Sequence, residues 1–109
     1  MPAIDKGFSA AGVGPLQRGR LTLDLAQRVL RYRGRVIRLS CQQSDVLRLL
    51  IEADGRVVSL AKLIEATGGD AVTAVSEARL RAVVRRLRGK LRDRELIETI
   101  GGEGYRLIE

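Results

Sequence analysis

The sequence predicts an α+β domain in which a small N-terminal antiparallel β-sheet is followed by three helices and a C-terminal β-hairpin. Two patterns support this prediction: apolar and polar residues alternate near both ends of the domain, and apolar residues recur at helical spacing between residues 40 and 92. The length of 109 residues suits one domain with one modest core, and a hydrophobic content of 45% is too high for a disordered chain. We expect residues 1–16, which are rich in Gly, Ala and Ser, to form a flexible arm and residues 17–109 to form the domain.

Three short β-prone segments open the domain. Apolar and polar residues alternate over residues 21–25, as in a strand with one buried face. Two further strands are predicted at residues 29–32 and 35–39. Arg33-Gly34 between them suits a tight hairpin turn, because Gly adopts positive φ without strain. These segments together predict a small antiparallel sheet.

Two helices are predicted after the sheet. The first should begin at Ser40, because Ser40 and Gln43 have the spacing of a capping box, in which each side chain accepts a hydrogen bond from the other residue's backbone N–H. Gly55 is a suitable C′ residue to end this helix. The second helix should have Ser59 as its N-cap and should end at residues 68–70, Gly-Gly-Asp.

The third helix, expected from about Val75 to Arg92, is the most informative segment. Its apolar residues form one stripe that should face the core, namely Leu80, Val83, Val84, Leu87 and Leu91. An advance of about 100° per residue places the other residues on two flanks that face away from the core. One flank carries Arg81, Arg85, Arg88 and Arg92. The other flank carries Arg79, Ala82 and Arg86, and Gly89 lies between the two.

A C-terminal hairpin is predicted from two β-prone segments, residues 96–100 and 105–108, on either side of a Gly-rich turn. The glycines of this turn are not followed by a helix. The segment therefore lacks the strand–loop–helix geometry of a nucleotide phosphate-binding loop.

Positive charge is concentrated on the third helix. The chain has a formal net charge of +7, which predicts a polyanionic partner, and eight cations accompany one acid, Asp93, between Arg79 and Arg94. An ordinary solvated helix surface usually mixes both signs, so contact with nucleic acid is favoured over that alternative. An α-helix fits the DNA major groove, where Arg neutralises phosphates or pairs bidentately with guanine.

Five more arginines lie in the predicted N-terminal strands. They are Arg28, Arg31, Arg33, Arg35 and Arg38. Protection of edge strands by charge is the favoured interpretation. A second phosphate contact and an acidic protein partner are the alternatives.

The composition excludes several other classes of protein. The chain has no His, which removes His-based acid–base catalysis and His-containing zinc sites, and Cys41 has no second cysteine for a disulfide. We therefore expect no enzymatic activity, no cofactor and no metal ion. Aromatic residues make up 3% of the chain, too few for the stacking platforms of single-strand binders. No apolar segment reaches the ~18 residues of a membrane span, and the N-terminus lacks a signal-peptide pattern, so we expect a cytoplasmic protein without a membrane partner.

In order and spacing, these segments form a winged helix-turn-helix that resembles the effector domain of OmpR/PhoB-type response regulators. The resemblance extends over about residues 21–107. Residues 85–91, Arg-Arg-Leu-Arg-Gly-Lys-Leu, are similar to the family's recognition-helix signature, and residues 97–107, Ile-Glu-Thr-Ile-Gly-Gly-Glu-Gly-Tyr-Arg-Leu, are similar to its wing. The family's phosphorylated receiver domain has no counterpart in this sequence. We expect no phosphorylation switch within the chain, which is either a natural single-domain regulator or the effector half of a longer one.

In that family the third helix enters the major groove and the wing reaches the adjacent minor groove. The resemblance implies that Ala82 and Arg86 face bases and that Thr99 and Tyr105 add backbone contacts from the wing. It implies phosphate contacts from Arg79, Arg85 and Arg88. The complete predicted DNA-binding set is Arg79, Arg81, Ala82, Arg85, Arg86, Arg88, Arg92, Thr99 and Tyr105.

The resulting hypothesis is a sequence-specific transcription regulator that binds double-stranded DNA. The loop from Gly68 to Ala74 corresponds to a segment that touches RNA polymerase in some family members, which makes the polymerase a candidate partner, and a homodimer on DNA is a candidate assembly. Gly101 stands where the family often has Arg, and Glu103 adds a negative charge nearby, which disfavours insertion of the wing into the minor groove. The alternatives are a protein-interaction adaptor that has kept the fold and lost base readout, and a nonspecific nucleoid or RNA binder.

Overall fold

The computed structural model describes residues 15–109, which form two antiparallel sheets and three helices. The elements are β1 (Leu16–Arg18), β2 (Leu21–Asp24), β3 (Val29–Tyr32), β4 (Arg35–Arg38), α1 (Cys41–Glu52), β5 (Val58–Ser59), α2 (Leu60–Ala66), α3 (Ala74–Leu91), β6 (Ile97–Ile100) and β7 (Gly104–Leu107). This architecture confirms the predicted fold class. Residues 1–14 of the predicted arm lie outside the described residues, and Leu16 already belongs to β1.

The N-terminal sheet has the strand order β1-β2-β3-β4. Strand β1 was not predicted; its Leu16 pairs with Leu23 of β2. The predicted turn between β3 and β4 is confirmed, and both of its residues have positive φ, 52° at Arg33 and 75° at Gly34. Two positive φ angles in a two-residue loop match the twist of antiparallel strands. Strand β4 ends at Arg38, one residue earlier than expected.

Helices α1 and α2 begin where the sequence predicts. The Ser40 hydroxyl accepts a hydrogen bond from the Gln43 backbone N–H at 3.1 Å, and the Gln43 side-chain carbonyl accepts one from the Ser40 N–H at 3.0 Å, so the capping box is confirmed. The end of α1 differs from the prediction: Asp54, with φ of 58°, takes the left-handed C′ position, and Gly55, with φ of 84°, is the second left-handed residue. Ser59 caps α2 as predicted.

Helix α3 starts one residue before the predicted boundary, after an N-cap at Thr73 whose hydroxyl accepts from the Ser76 N–H at 3.1 Å. The predicted core stripe is confirmed, since each of its five side chains is at most 5% exposed. The predicted C-terminus is wrong by one residue. Arg92 is the C-cap, with a left-handed backbone at φ 56°, so the helical phase that placed it among the outward arginines does not extend to it.

The C-terminal hairpin is confirmed, and a short third strand joins it. Strand order in this sheet is β5-β7-β6, in which Ser59 of β5 pairs with Gly104 of β7. A Cβ atom on Gly104 would lie 1.9 Å from the carbonyl oxygen of Val58, so only glycine permits this close pairing. The pairing links the wing, formed by β6 and β7, to the start of α2.

One hydrophobic cluster joins both sheets to the three helices. Within residues 15–109, none of the helices combines the length and hydropathy that crossing a membrane would require.

Candidate nucleic-acid interface

The N-terminal and central turns of α3 present free cations to solvent. Arg79, Arg85 and Arg86 are exposed, and none of the three has an ion pair or side-chain hydrogen bond with another residue in the range 15–109. Arg81 is also exposed, and its guanidinium lies 4.0 Å from the carboxylate of Glu77, one turn earlier. These four guanidinium groups can therefore turn toward an external anion without breaking a strong internal contact.

Two small residues lie among these arginines. Ala82 is half-buried and shares a flank with Arg79 and Arg86. Gly89 faces open space, since a Cβ atom built there meets no other atom within 4 Å. Small side chains leave room for a bound surface to approach the helix backbone closely.

Arg88 is arranged differently from its neighbours, because its guanidinium joins α3 to the wing. Its Nε and Nη2 donate to the carbonyl oxygen of Ile97 at 3.1 and 2.6 Å, and Nη2 also donates to the Thr99 hydroxyl at 2.9 Å. The guanidinium carbon lies 5.9 Å from the ring centroid of Tyr105, which is 5% exposed. Three predicted DNA contacts, Arg88, Thr99 and Tyr105, thus form one internal link.

The C-terminus of α3 is held by the N-terminal sheet. Arg35 of β4 donates to the carbonyl oxygens of Leu91, at 2.9 Å, and of Lys90. These carbonyls have no partner within the helix, and a cation is favourable at this negative end of the helix dipole. Lys90 in turn donates to the carbonyl oxygen of Arg38 at 2.9 Å and to the side chain of Gln43 at 2.8 Å. These contacts were not predicted from the sequence, because the residues are about 50 positions apart and carry no local signal.

Tyr32 contributes a further contact at the same end of α3. Its side chain is 1% exposed, and its hydroxyl donates to the carboxylate of Asp93 at 2.9 Å. Burial raises the pKa of Tyr32 above its ordinary value of 10.0, and the hydrogen bond to the negative Asp93 raises it further. The tyrosine is therefore neutral at physiological pH and fixes the turn that follows the helix.

A groove lies between the C-terminal half of α3 and strand β6. Its cationic lining is Arg85, Arg88 and Arg94, and its acidic lining is Glu95 and Glu98. Arg94 was not in the predicted DNA-binding set, although it belongs to the run of cations between Arg79 and Arg94. The groove has a volume of about 710 Å³.

The tip of the wing is exposed and tied to α2 through its backbone. The Glu103 N–H donates to the Ile100 carbonyl at 2.9 Å, and the Glu103 carbonyl accepts from the Leu60 N–H at 2.9 Å. Gly101, Gly102 and Glu103 form the turn, so it carries one negative charge and no cation.

Within residues 15–109, no three carboxylate or thiol side chains come together closely enough to hold a metal ion.

Known proteins share both this sequence pattern and this fold. Residues 34–107 match the family described as "Transcriptional regulatory protein, C terminal". The chain is 30% identical over 92 residues to the transcriptional regulatory protein CutR of Streptomyces coelicolor, an alignment that covers 84% of this chain and 42% of that relative. The chain thus corresponds to less than half the length of this curated relative.

Two solved structures have the same architecture. The DNA-binding domain of CpxR from E. coli superposes with a TM-score of 0.75 at 26% identity, covering 87% of this chain and 96% of that one. DrrB, an OmpR/PhoB homologue from Thermotoga maritima, superposes with a TM-score of 0.71 at 28% identity, covering 88% of this chain and 45% of that one. The chain therefore belongs to the family of transcriptional regulatory protein C-terminal domains, of the OmpR/PhoB type that its sequence resembles.

Proposed function

We propose that this chain is a transcription regulator that binds double-stranded DNA at preferred sequences, with α3 in the major groove. The observation that carries the proposal is the set of exposed guanidinium groups on α3, at Arg79, Arg85 and Arg86, which have no partner among residues 15–109. Like charges this close together repel one another, and a polyanion relieves that repulsion. Membership of the family and the likeness to a DNA-binding domain of CpxR support the same function.

The free arginines take different roles according to the flank of α3 on which they lie. Arg86 shares a flank with Ala82, whose small side chain lets the helix approach base edges, so we assign base contact to these two residues. We assign phosphate contacts to Arg79 and Arg85, with Arg81 as a weaker contributor because of its neighbour Glu77.

The groove between α3 and β6 provides a path for one phosphodiester strand. Arg85 and Arg94 line this groove, and Arg92 is the exposed C-cap residue of α3, so we include these three among the phosphate contacts. Arg88 and Thr99 belong to its lining, and the hydrogen bonds from Arg88 hold β6 against the helix. The tip of the wing carries Glu103 and no cation, so in this proposal the wing lies beside the phosphates and does not enter the minor groove.

We also propose two protein contacts. The loop from Gly68 to Ala74 is exposed for most of its length and includes Val72, which is 45% exposed, so it can reach RNA polymerase beside a bound DNA. A homodimer on DNA would place two copies on neighbouring half-sites, as helix-turn-helix proteins commonly bind. Comparing the affinity for a duplex that contains one half-site with the affinity for a duplex that contains two would show whether the chain binds as a dimer.

Selection of binding sites from a random duplex pool, followed by titration, tests the main proposal. We expect the selected duplex to bind about 10³-fold more tightly than random duplex, and more tightly than single-stranded RNA. Arg86→Ala should weaken the selected site by about 10- to 150-fold and relax its preference at one or two positions. Arg85→Ala should weaken all duplexes alike.

Arg31→Ala is the matched control, because it removes the same charge from an exposed position on β3. It should change binding by less than Arg85→Ala. If a folded Arg86→Ala variant keeps both affinity and preference, major-groove readout by α3 is wrong and a role in protein interaction takes its place.

A further inference from the structure

Val75, in the first turn of α3, is an exposed apolar side chain on the flank that carries the predicted base contacts. It is 68% exposed, the most exposed large hydrophobic residue within residues 15–109. Val75, Arg79, Ala82 and Arg86 follow the spacing i, i+4, i+7 and i+11, so their side chains lie along one row of the helix. This row alternates apolar and cationic groups.

The cations of the row indicate what covers the valine. Arg79 and Arg86 are exposed and have no partner within residues 15–109, and they place positive charge, complementary to a polyanion, on both sides of Ala82. The major groove of DNA has phosphates along its edges and one apolar group on its floor, the 5-methyl group of thymine. Val75 lies on the same row of the helix as these arginines, so its aliphatic side chain is suited to contact a thymine methyl group on the groove floor.

We propose that Val75 determines specificity by contacting the 5-methyl group of a thymine. This inference rests on the proposed function. Val75 and Arg86 are 11 positions apart in sequence, which is about 16 Å along the helix axis and about five base-pair steps. The preferred site should therefore contain a thymine about four to five base pairs from the guanine that Arg86 contacts.

An apolar contact with a protein partner is the competing use of this surface. Val72, which is 45% exposed, precedes α3 and lies outside the row, so it is the better candidate for such a contact. Val75 differs from it in being aligned with the two free arginines. The two valines therefore have different expected partners, DNA for Val75 and a protein for Val72. Substituting each valine in turn distinguishes the two roles.

The test replaces thymines of the selected duplex one at a time with deoxyuridine, which removes the methyl group and leaves base pairing intact. At one position the replacement should weaken binding of the wild-type chain about three- to tenfold, the effect of losing one buried methyl contact. Val75→Ala should weaken binding to the thymine duplex to the same extent and should respond to that replacement by less than twofold. Alanine is a strong helix former, so the variant keeps α3 intact.

Val72→Ala is the control variant and should retain the full difference between thymine and deoxyuridine. If the wild-type chain prefers its selected site but no deoxyuridine changes its affinity, or if Val75→Ala keeps the full difference, the assignment of Val75 is overturned and the proposed function stands. If the wild-type chain shows no preference among duplexes, the proposed function and this inference both fail.

Discussion

Replacement of Arg88 by alanine should destabilise the fold, because Arg88 links α3 to the edge strand of the wing. Hydrogen bonds from a charged donor contribute about 1.5–3 kcal/mol each, and Arg88 donates to two acceptors, the Ile97 carbonyl and the Thr99 hydroxyl. Its side chain is half-buried, so solvent weakens both bonds, and we expect a net loss of about 2–3 kcal/mol. For a domain of this size, that corresponds to a fall in Tm of roughly 10–20 °C.

Thermal and urea unfolding followed by circular dichroism measure this loss. Arg85→Ala is the matched control: it removes the same charge one turn earlier, from an exposed side chain that has no partner in the described part of the chain. It should change stability by less than about 0.5 kcal/mol. If the free energy of unfolding of Arg88→Ala lies within about 0.5 kcal/mol of the wild-type value, the link to the wing does not stabilise the fold, and the Arg88 guanidinium can bind a phosphate instead.

Three further predictions concern the core, the sheet and the wing. Leu87→Ala should lower the free energy of unfolding by about 2–5 kcal/mol, because Leu87 is 0% exposed; an unchanged urea midpoint would contradict its place in the core. Tyr32→Phe should cost about 0.5–1.5 kcal/mol at pH 7, through the lost hydrogen bond to Asp93. Because the pKa of Tyr32 is raised in the folded state, this advantage of the wild type is complete below pH 10.0 and is lost as the pH rises through the folded pKa; a constant difference between pH 7 and 11 would refute the shift. Glu103→Ala and Glu103→Gln should both tighten duplex binding by about two- to threefold if the wing lies near phosphates, and weaker binding would place the wing elsewhere.

Local signals in the sequence were sufficient for most of the fold. The capping box of Ser40 and Gln43 and the N-cap at Ser59 are contained within four residues, so their geometry follows from spacing alone. The core stripe of α3 was predictable because the helical phase repeats over about three turns, from Leu80 to Leu91. The turn at Arg33-Gly34 was predictable because Gly34 adopts positive φ without strain, whereas the positive φ of Arg33 was not predicted from its residue type.

The parts that were missed depend on partners distant in sequence. Strand β5 has two residues, Val58 and Ser59, and is a strand only because β7 pairs with it. The role of Arg35 also depends on a distant partner. Its position in a strand suggested edge protection, but its guanidinium caps the C-terminus of α3. No periodicity encodes a contact of this kind, since it depends on how the sheet packs against the helix.

The internal contacts of the C-terminal cations change the expected salt dependence of DNA binding. A count of sequence charges suggests about five to seven phosphate contacts and a slope of log K against log salt of about −4.5 to −6. Arg88 is occupied by the wing, and Lys90 by Arg38 and Gln43, so neither is free. Three exposed arginines of α3 are assigned to phosphates, namely Arg79, Arg81 and Arg85, and they predict a slope of about −2.7. Contacts from Arg92 and Arg94 would extend it to about −4.5.

Titration of a selected duplex between 50 and 200 mM salt, roughly the range over which such slopes are measured, determines this number. Substituting Lys90 by methionine keeps its aliphatic stem and should leave the slope unchanged, because its ammonium group is directed to the protein and not to DNA. Arg85→Ala should make the slope shallower by about 0.9. A slope steeper than about −5.4, or a loss of about one unit of slope on replacing Lys90, would mean that these cations leave their internal partners when DNA binds.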